Sequence, residues 1–105
     1  MSFEQRAFDL GAVKKGEKRA FEYTFTNRGD ELLEVDLISA CDCTEVEYDY
    51  KPIPPGGSGT IKMVFDSAEK DEAETISVDI LLKNMLPGTD IPIIERLEYS
   101  FEIIK

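Results

Sequence analysis

Alternation with a period of two residues runs through most of this chain, and it restricts the fold more than any other feature. In Lys18–Asn27, Phe21, Tyr23 and Phe25 fall on one side of an extended backbone and Glu22, Thr24 and Thr26 on the other. A strand with one face on a core and one in water reads this way. The pattern returns in Gly59–Asp66 through Ile61, Met63 and Phe65, and in Thr75–Leu82 through Ile76, Val78, Ile80 and Leu82. Glu95–Lys105 repeats it through Leu97, Tyr99, Phe101 and Ile103. Ala7–Gly11 is a short apolar entry before a turn at Val13–Glu17, and Asn27–Asp30 is a second turn. No segment has convincing helical spacing; the charged connection Ser67–Ala73 has room for one helical turn.

The middle of the chain breaks the rhythm. Leu33, Val35 and Leu37 share one face of Leu32–Ala40, and that odd-numbered face continues to Cys41 and Cys43. In Thr44–Tyr50 the apolar positions are even: Val46, Tyr48 and Tyr50. A one-residue change of phase exchanges the faces of a strand, so the chain must bulge or bend between Cys43 and Val46. Pro52–Gly57 then excludes a central strand, because its prolines lack ladder donors. About seven strand segments with frequent turn signals, on 105 residues, predict one all-β domain over residues 1–105. The architecture expected is an antiparallel immunoglobulin-like β-sandwich.

Charge narrows the function classes. Lys plus Arg number 12 against 22 Asp plus Glu, a net charge of −10. That sign repels nucleic-acid phosphates and anionic membrane surfaces, and no apolar run reaches the roughly 20 residues of a membrane-spanning helix. Partners are expected to be proteins, without nucleic acid or membrane insertion. The N-terminal Met1–Arg6 does not read as a secretory signal, which leaves a cytoplasmic protein or a domain cut from a longer exported one. Histidine is absent, which removes Ser-His and Cys-His catalysis and most zinc sites.

The candidate functional motif is Cys41-Asp42-Cys43-Thr44, which holds both cysteines. It reads as plain packing, as a redox or disulfide pair, or as a two-thiolate metal site. In an extended strand, residues two apart lie roughly 6.6 Å apart, whereas a disulfide needs Cβ atoms about 3.8 Å apart. A bridge therefore requires a sharp turn at Asp42. Acidic neighbours Asp42, Glu45 and Glu47 disfavour a reactive thiolate. Packing is the favoured reading, with both thiols reduced and partly buried. Asp66–Glu74 lacks the calcium-loop spacing, and Gly56–Gly59 lacks a phosphate-loop lysine. No catalytic residue, cofactor or metal is expected. Tyr48 and Tyr50 are expected in the core. Of the sheet edges, Ala7–Leu10 is guarded by the lysines that follow it, and Glu95–Lys105 is expected to be the available one.

Five motifs in order carry a family resemblance: Phe8-Asp9-Leu10-Gly11 with Val13 and Gly16-Glu17; Phe25-Thr26-Asn27 with Gly29; Cys41-Asp42-Cys43-Thr44; Pro52-Ile53 with Pro55-Gly56 and Ser58-Gly59; and Ile61-Lys62 with Phe65-Asp66. This pattern over residues 7–82 resembles the bacterial family called domain of unknown function 1573, which is similar to Hydin-type and major-sperm-protein-like immunoglobulin folds. The family usually carries glycine between the cysteines, where this chain has Asp42, and the loop Lys83–Pro92 is longer here. The resemblance implies a β-sandwich module, often in exported or surface proteins, with no assigned chemistry. The function expected is a non-enzymatic interaction or structural module. The alternative is a thiol redox or metal-handling domain working through Cys41 and Cys43.

Overall fold

A computed structural model describes all residues, Met1–Lys105. It contains eight strands and no helix: β1 Ser2–Phe3, β2 Ala7–Lys14, β3 Lys18–Thr26, β4 Val35–Ser39, β5 Thr44–Glu47, β6 Ser58–Asp66, β7 Glu74–Met85 and β8 Pro92–Ile104. They form two four-stranded sheets, ordered β1-β3-β6-β5 and β2-β8-β7-β4. The sandwich expected from the alternating runs is present. Its eighth strand is the two-residue β1 beside β3, and one neighbouring pair, β2 with β8, runs parallel. The entry segment continues past Gly11 into β2 because Gly11, at φ 70°, supplies a bulge between Asp9 and Ala12. Its N–H donates to Asp9 Oδ1 at 2.8 Å.

The core lies between the sheets, where the alternation puts it. Tyr23, Phe25, Ile61, Met63 and Phe65 enter from one sheet, and Val13, Val78, Ile80, Leu82, Leu97, Tyr99 and Phe101 from the other. The Phe65 and Phe101 rings stack across the interface with centroids 4.2 Å apart. Burying each large apolar side chain contributes about 1.5–3 kcal/mol, which is how two short sheets cohere. Tyr48 packs against this core, but Tyr50 does not: it is 51% exposed, with its ring edge-on to Tyr48.

The loops close around buried polar groups. Asn27 is buried, and its side-chain amide donates to the carbonyls of Glu31 at 2.8 Å and Ile53 at 2.9 Å. The Gly29 N–H donates to its Oδ1 at 3.0 Å. The turn after β3 and the proline-rich segment are thereby tied together, as buried polar groups require. Ile53 also bridges to Leu33. The charged connection between β6 and β7 forms turns and no helix.

Besides the core position expected of Tyr50, two further expectations fail. Leu37 does not share the buried face of Leu33 and Val35. The β4–β7 register shifts between Val35 and Leu37, so Asp36 is an extra residue that exchanges the faces. Ile38 turns into the core and Leu37 is 52% exposed. The second failure concerns the last strand, which is no edge. β8 lies between β2 and β7, paired on both sides. The edges are β1 and β5 in one sheet and β2 and β4 in the other.

Candidate functional site

β4 and β5 are edge strands of different sheets on the same flank of the sandwich, and the chain crosses between them through Ala40–Cys43. The bend expected between Cys43 and Val46 falls earlier: the faces are exchanged at Asp36 and the chain turns at Asp42–Cys43, before β5 begins at Thr44. The crossing is a tight turn: the Thr44 N–H donates to the Cys41 carbonyl at 2.9 Å, and the Cys43 N–H to Cys41 Sγ at 3.1 Å. The turn draws the two cysteine Cα atoms to 5.1 Å, and their sulfurs are joined in a disulfide. The expectation of two reduced thiols is therefore overturned. It assumed an extended backbone, in which the pair is too far apart to bridge; at Asp42 the backbone is turned. Neither sulfur is a free thiolate that a metal could take.

The bond is a weak staple. Its loop contains only three residues, and the chain-entropy relation gives such a loop about 1.6 kcal/mol, against about 3 kcal/mol for a fifteen-residue one. Its surroundings are more informative. Cys41, Asp42 and Cys43 line a pocket of about 300 Å³ together with Asp66, Glu69 and Lys70 from the connection after β6. The Cys43 carbonyl accepts from the Asp66 N–H at 2.8 Å, which fixes the two walls relative to each other. Lys70 is tied to Glu74 at 2.8 Å.

Below the pocket lies Tyr99 of β8. Its hydroxyl hydrogen-bonds to Thr44 Oγ1 and sits 3.5 Å from Cys43 Sγ. Thr44 Oγ1 is 3.7 Å from the same sulfur. Burial pushes the Tyr99 phenol above its ordinary value; the Thr44 hydrogen bond works against that rise, and the Glu74 carboxylate adds to it. The phenol therefore keeps its proton at neutral pH. Burial raises Tyr23 and Tyr48 in the same way, with Tyr99 and Glu98 adding to the first and Asp49 and Tyr50 to the second.

These three phenols predict alkaline unfolding. Their folded-state pKa values lie above the unfolded value near 10, so the folded chain holds protons that the unfolded chain releases. Their contribution is complete below about pH 10 and is lost as pH rises through the folded-state values. Urea midpoints should be level, as far as these groups are concerned, up to about pH 10 and fall above it. Tyr23→Phe should reduce the fall; an unchanged slope would remove Tyr23 from the cause.

The candidate motif Cys41–Thr44 lies in one turn beside this pocket, with Asp42 exposed at the rim and Thr44 half-buried. Asp66, Glu69, Lys70 and Tyr99 were not apparent as its neighbours. Asp66–Lys70 read as a solvated charge run, and Tyr99 as one more core position of an alternating strand. The apparent phase change near Cys43 signalled that the chain bends in this region but not what would face the turn.

The fold is an immunoglobulin-like β-sandwich, and it is similar to that of PapD-like domains. It aligns with the ASH / PapD-like domain 7 of human CEP192 at a TM-score of 0.77 and 10% identity, covering 99% of this chain and 84% of that one. It aligns with a protein of unknown function from Porphyromonas gingivalis W83 at 0.75 and 20% identity, covering 96% of this chain and 46% of that one. SSP-19, an MSP-domain protein like family member in Caenorhabditis elegans, aligns at 0.66 and 8% identity over 100% of both chains. At these identities the likeness is one of fold. No curated protein matches the chain in sequence. The chain belongs to the family described as protein of unknown function (DUF1573), whose profile matches residues 1–93.

Proposed function

We propose that this domain is a non-catalytic protein-binding module that takes an extended, basic segment of a partner at the β4 edge. The observation that carries this reading is a row of apolar side chains on the outer face of the β2-β8-β7-β4 sheet. Leu37 of β4 stands opposite Leu81 of β7, and Leu81 opposite Ile94 of β8. Leu37 and Ile94 are 52% and 59% exposed. The row continues toward the β7–β8 hairpin tip, where Met85, Leu86 and Ile91 are also exposed. The other sheet contrasts with it. At the corresponding place its outer face carries Glu22, Lys62 and Glu47 in register, an ion-rich row suited to water.

β4 is hydrogen-bonded to β7 only, so its free side offers backbone donors and acceptors to an added strand. A side chain of that strand would extend the apolar row by one position. Glu34 and Asp36 flank the edge, and the net charge of −10 favours a basic partner and speeds its approach. Neither cavity geometry nor side-chain grouping offers a nucleophile with a base, which supports binding over turnover. The disulfide fits an oxidising compartment, as for a domain of an exported or surface protein.

A short peptide alternating valine with lysine is a direct probe. Its binding should shift backbone amide resonances of β4 and the outer face of β7 and β8. Leu37→Asp should weaken it about tenfold or more, and a glutamate analogue of the peptide should bind less well still. Shifts centred on β1 or β2, no binding of the lysine peptide, or indifference to Leu37→Asp would each reject this docking surface.

A further inference from the structure

We propose that the Cys41–Cys43 disulfide is a thiol–disulfide exchange site that accepts two electrons from a dithiol carried on a positively charged partner. This inference is independent of docking at the apolar row. Its basis is the asymmetry of the two sulfurs. Cys43 is packed against the hydrophobic core, and Cys41 is not; both line the pocket of about 300 Å³ that opens beside the turn. A nucleophile entering that pocket reaches Cys41 Sγ, and Cys43 Sγ is the group that leaves.

The leaving sulfur has a donor in place: the Tyr99 and Thr44 hydroxyls hydrogen-bond to each other, and the one whose proton that bond leaves free can donate to Cys43 Sγ. Tyr99 presents its hydroxyl at 3.5 Å and Thr44 its hydroxyl at 3.7 Å. Hydrogen bonds to a thiolate stabilise it, and a better-stabilised leaving thiolate departs faster. Cys41 Sγ in turn accepts from the Cys43 N–H at 3.1 Å. In the first step a partner thiolate attacks Cys41 Sγ. A new sulfur–sulfur bond forms to Cys41, the Cys41–Cys43 bond breaks, and its electron pair leaves on Cys43. In the second step the partner's other thiolate attacks its own sulfur in the mixed disulfide and releases Cys41 as a thiolate. The partner ends as a disulfide and this chain as two thiols, the protons coming through solvent.

The rim selects the partner. Asp42 and Glu69 are exposed and Asp66 is half-buried, whereas the single cation among the lining residues, Lys70, is engaged by Glu74. An anionic thiol is repelled from this opening and a cationic one is drawn in. A bond that closes only three residues can also open while the sandwich stays folded, because the two sheets are held by their own core.

The test uses the oxidised full chain. Cysteamine and mercaptoethanesulfonate, one cationic and one anionic, are compared at low salt, with rates corrected for the thiolate fraction of each. The cationic reagent should form the mixed disulfide about tenfold faster, on Cys41 by peptide mapping, and the ratio should fall toward one in high salt and in the Asp42→Asn/Glu69→Gln variant. Tyr99→Phe, which removes only the hydroxyl, should slow exchange severalfold with both reagents alike. Dithiothreitol should release two thiols without denaturant and leave cooperative unfolding intact. The proposal fails if thiols appear only in denaturant, if the mixed disulfide forms on Cys43, if the oxidised chain already shows two free thiols, or if the charge preference ignores the Asp42/Glu69 change.

Discussion

Phe25→Ala is expected to cost about 3–5 kcal/mol of stability, toward the upper part of the range for emptying an aromatic site. Phe25 is fully buried, its ring centroid 5.6 Å from that of Phe3 and 6.3 Å from that of Tyr48. The decisive neighbour is Gly59, its cross-strand partner on β6. A Cβ at Gly59 would lie 2.5 Å from the Phe25 ring, so the ring occupies the space a side chain would need there. An aromatic ring laid over a glycine on the neighbouring strand restores the packing that the glycine lacks. Removing the ring therefore opens a void over a residue with nothing to fill it, and collapse can recover little. Small domains are stable by roughly 5–15 kcal/mol, so the loss is a large share of the total. Urea unfolding of the two proteins measures it. A loss below about 1 kcal/mol would place Phe25 at the surface and refute the assignment of the inward face of β3.

How far the residues foretold this arrangement depended on whether the signal was local. β3, β6, β7 and β8 follow directly from alternation, because each carries a run long enough to fix its inward face. Leu32–Ala40 misled because Leu33, Val35, Leu37 and Ile38 are all apolar. Glu34 and Asp36 alternate with Leu33, Val35 and Leu37 as the outer face of an unbroken strand would, so the extra residue at Asp36 leaves no trace in the pattern, and Leu37 is assigned to the wrong side. The disulfide was hidden for a related reason. Whether residues two apart can bridge depends on the backbone at Asp42, and an Asp there is compatible with strand end or turn. The meeting of Tyr99 with Cys43 joins positions 56 residues apart, and only the sheet order brings them together. That order was equally out of reach for β8: being last in the chain implies nothing about being outermost in the sheet.

The position of β8 yields the second large effect. Ser100→Pro should cost about 4 kcal/mol or more and leave the chain largely unfolded under mild denaturation. Ser100 stands opposite Asp9 of β2 on one side and Thr75 of β7 on the other. In a strand flanked on both sides, the backbone N–H faces a neighbour whichever way it points. Proline removes that donor, leaves an acceptor unpaired inside the sheet, and pushes its ring against the adjoining strand. Had β8 been an edge with its N–H toward solvent, the same change would be tolerated and would block only strand addition. Asp36→Pro supplies the comparison. Asp36 has no Cα partner in the β4–β7 register, and a bulge on an edge strand is where a sheet accepts proline. Its loss should be the smaller by about 2 kcal/mol or more. Circular dichroism melts and urea titrations of the two variants decide the matter: equal stabilities, or a Ser100→Pro chain as stable as the parent, would mean that β8 is not held between β2 and β7.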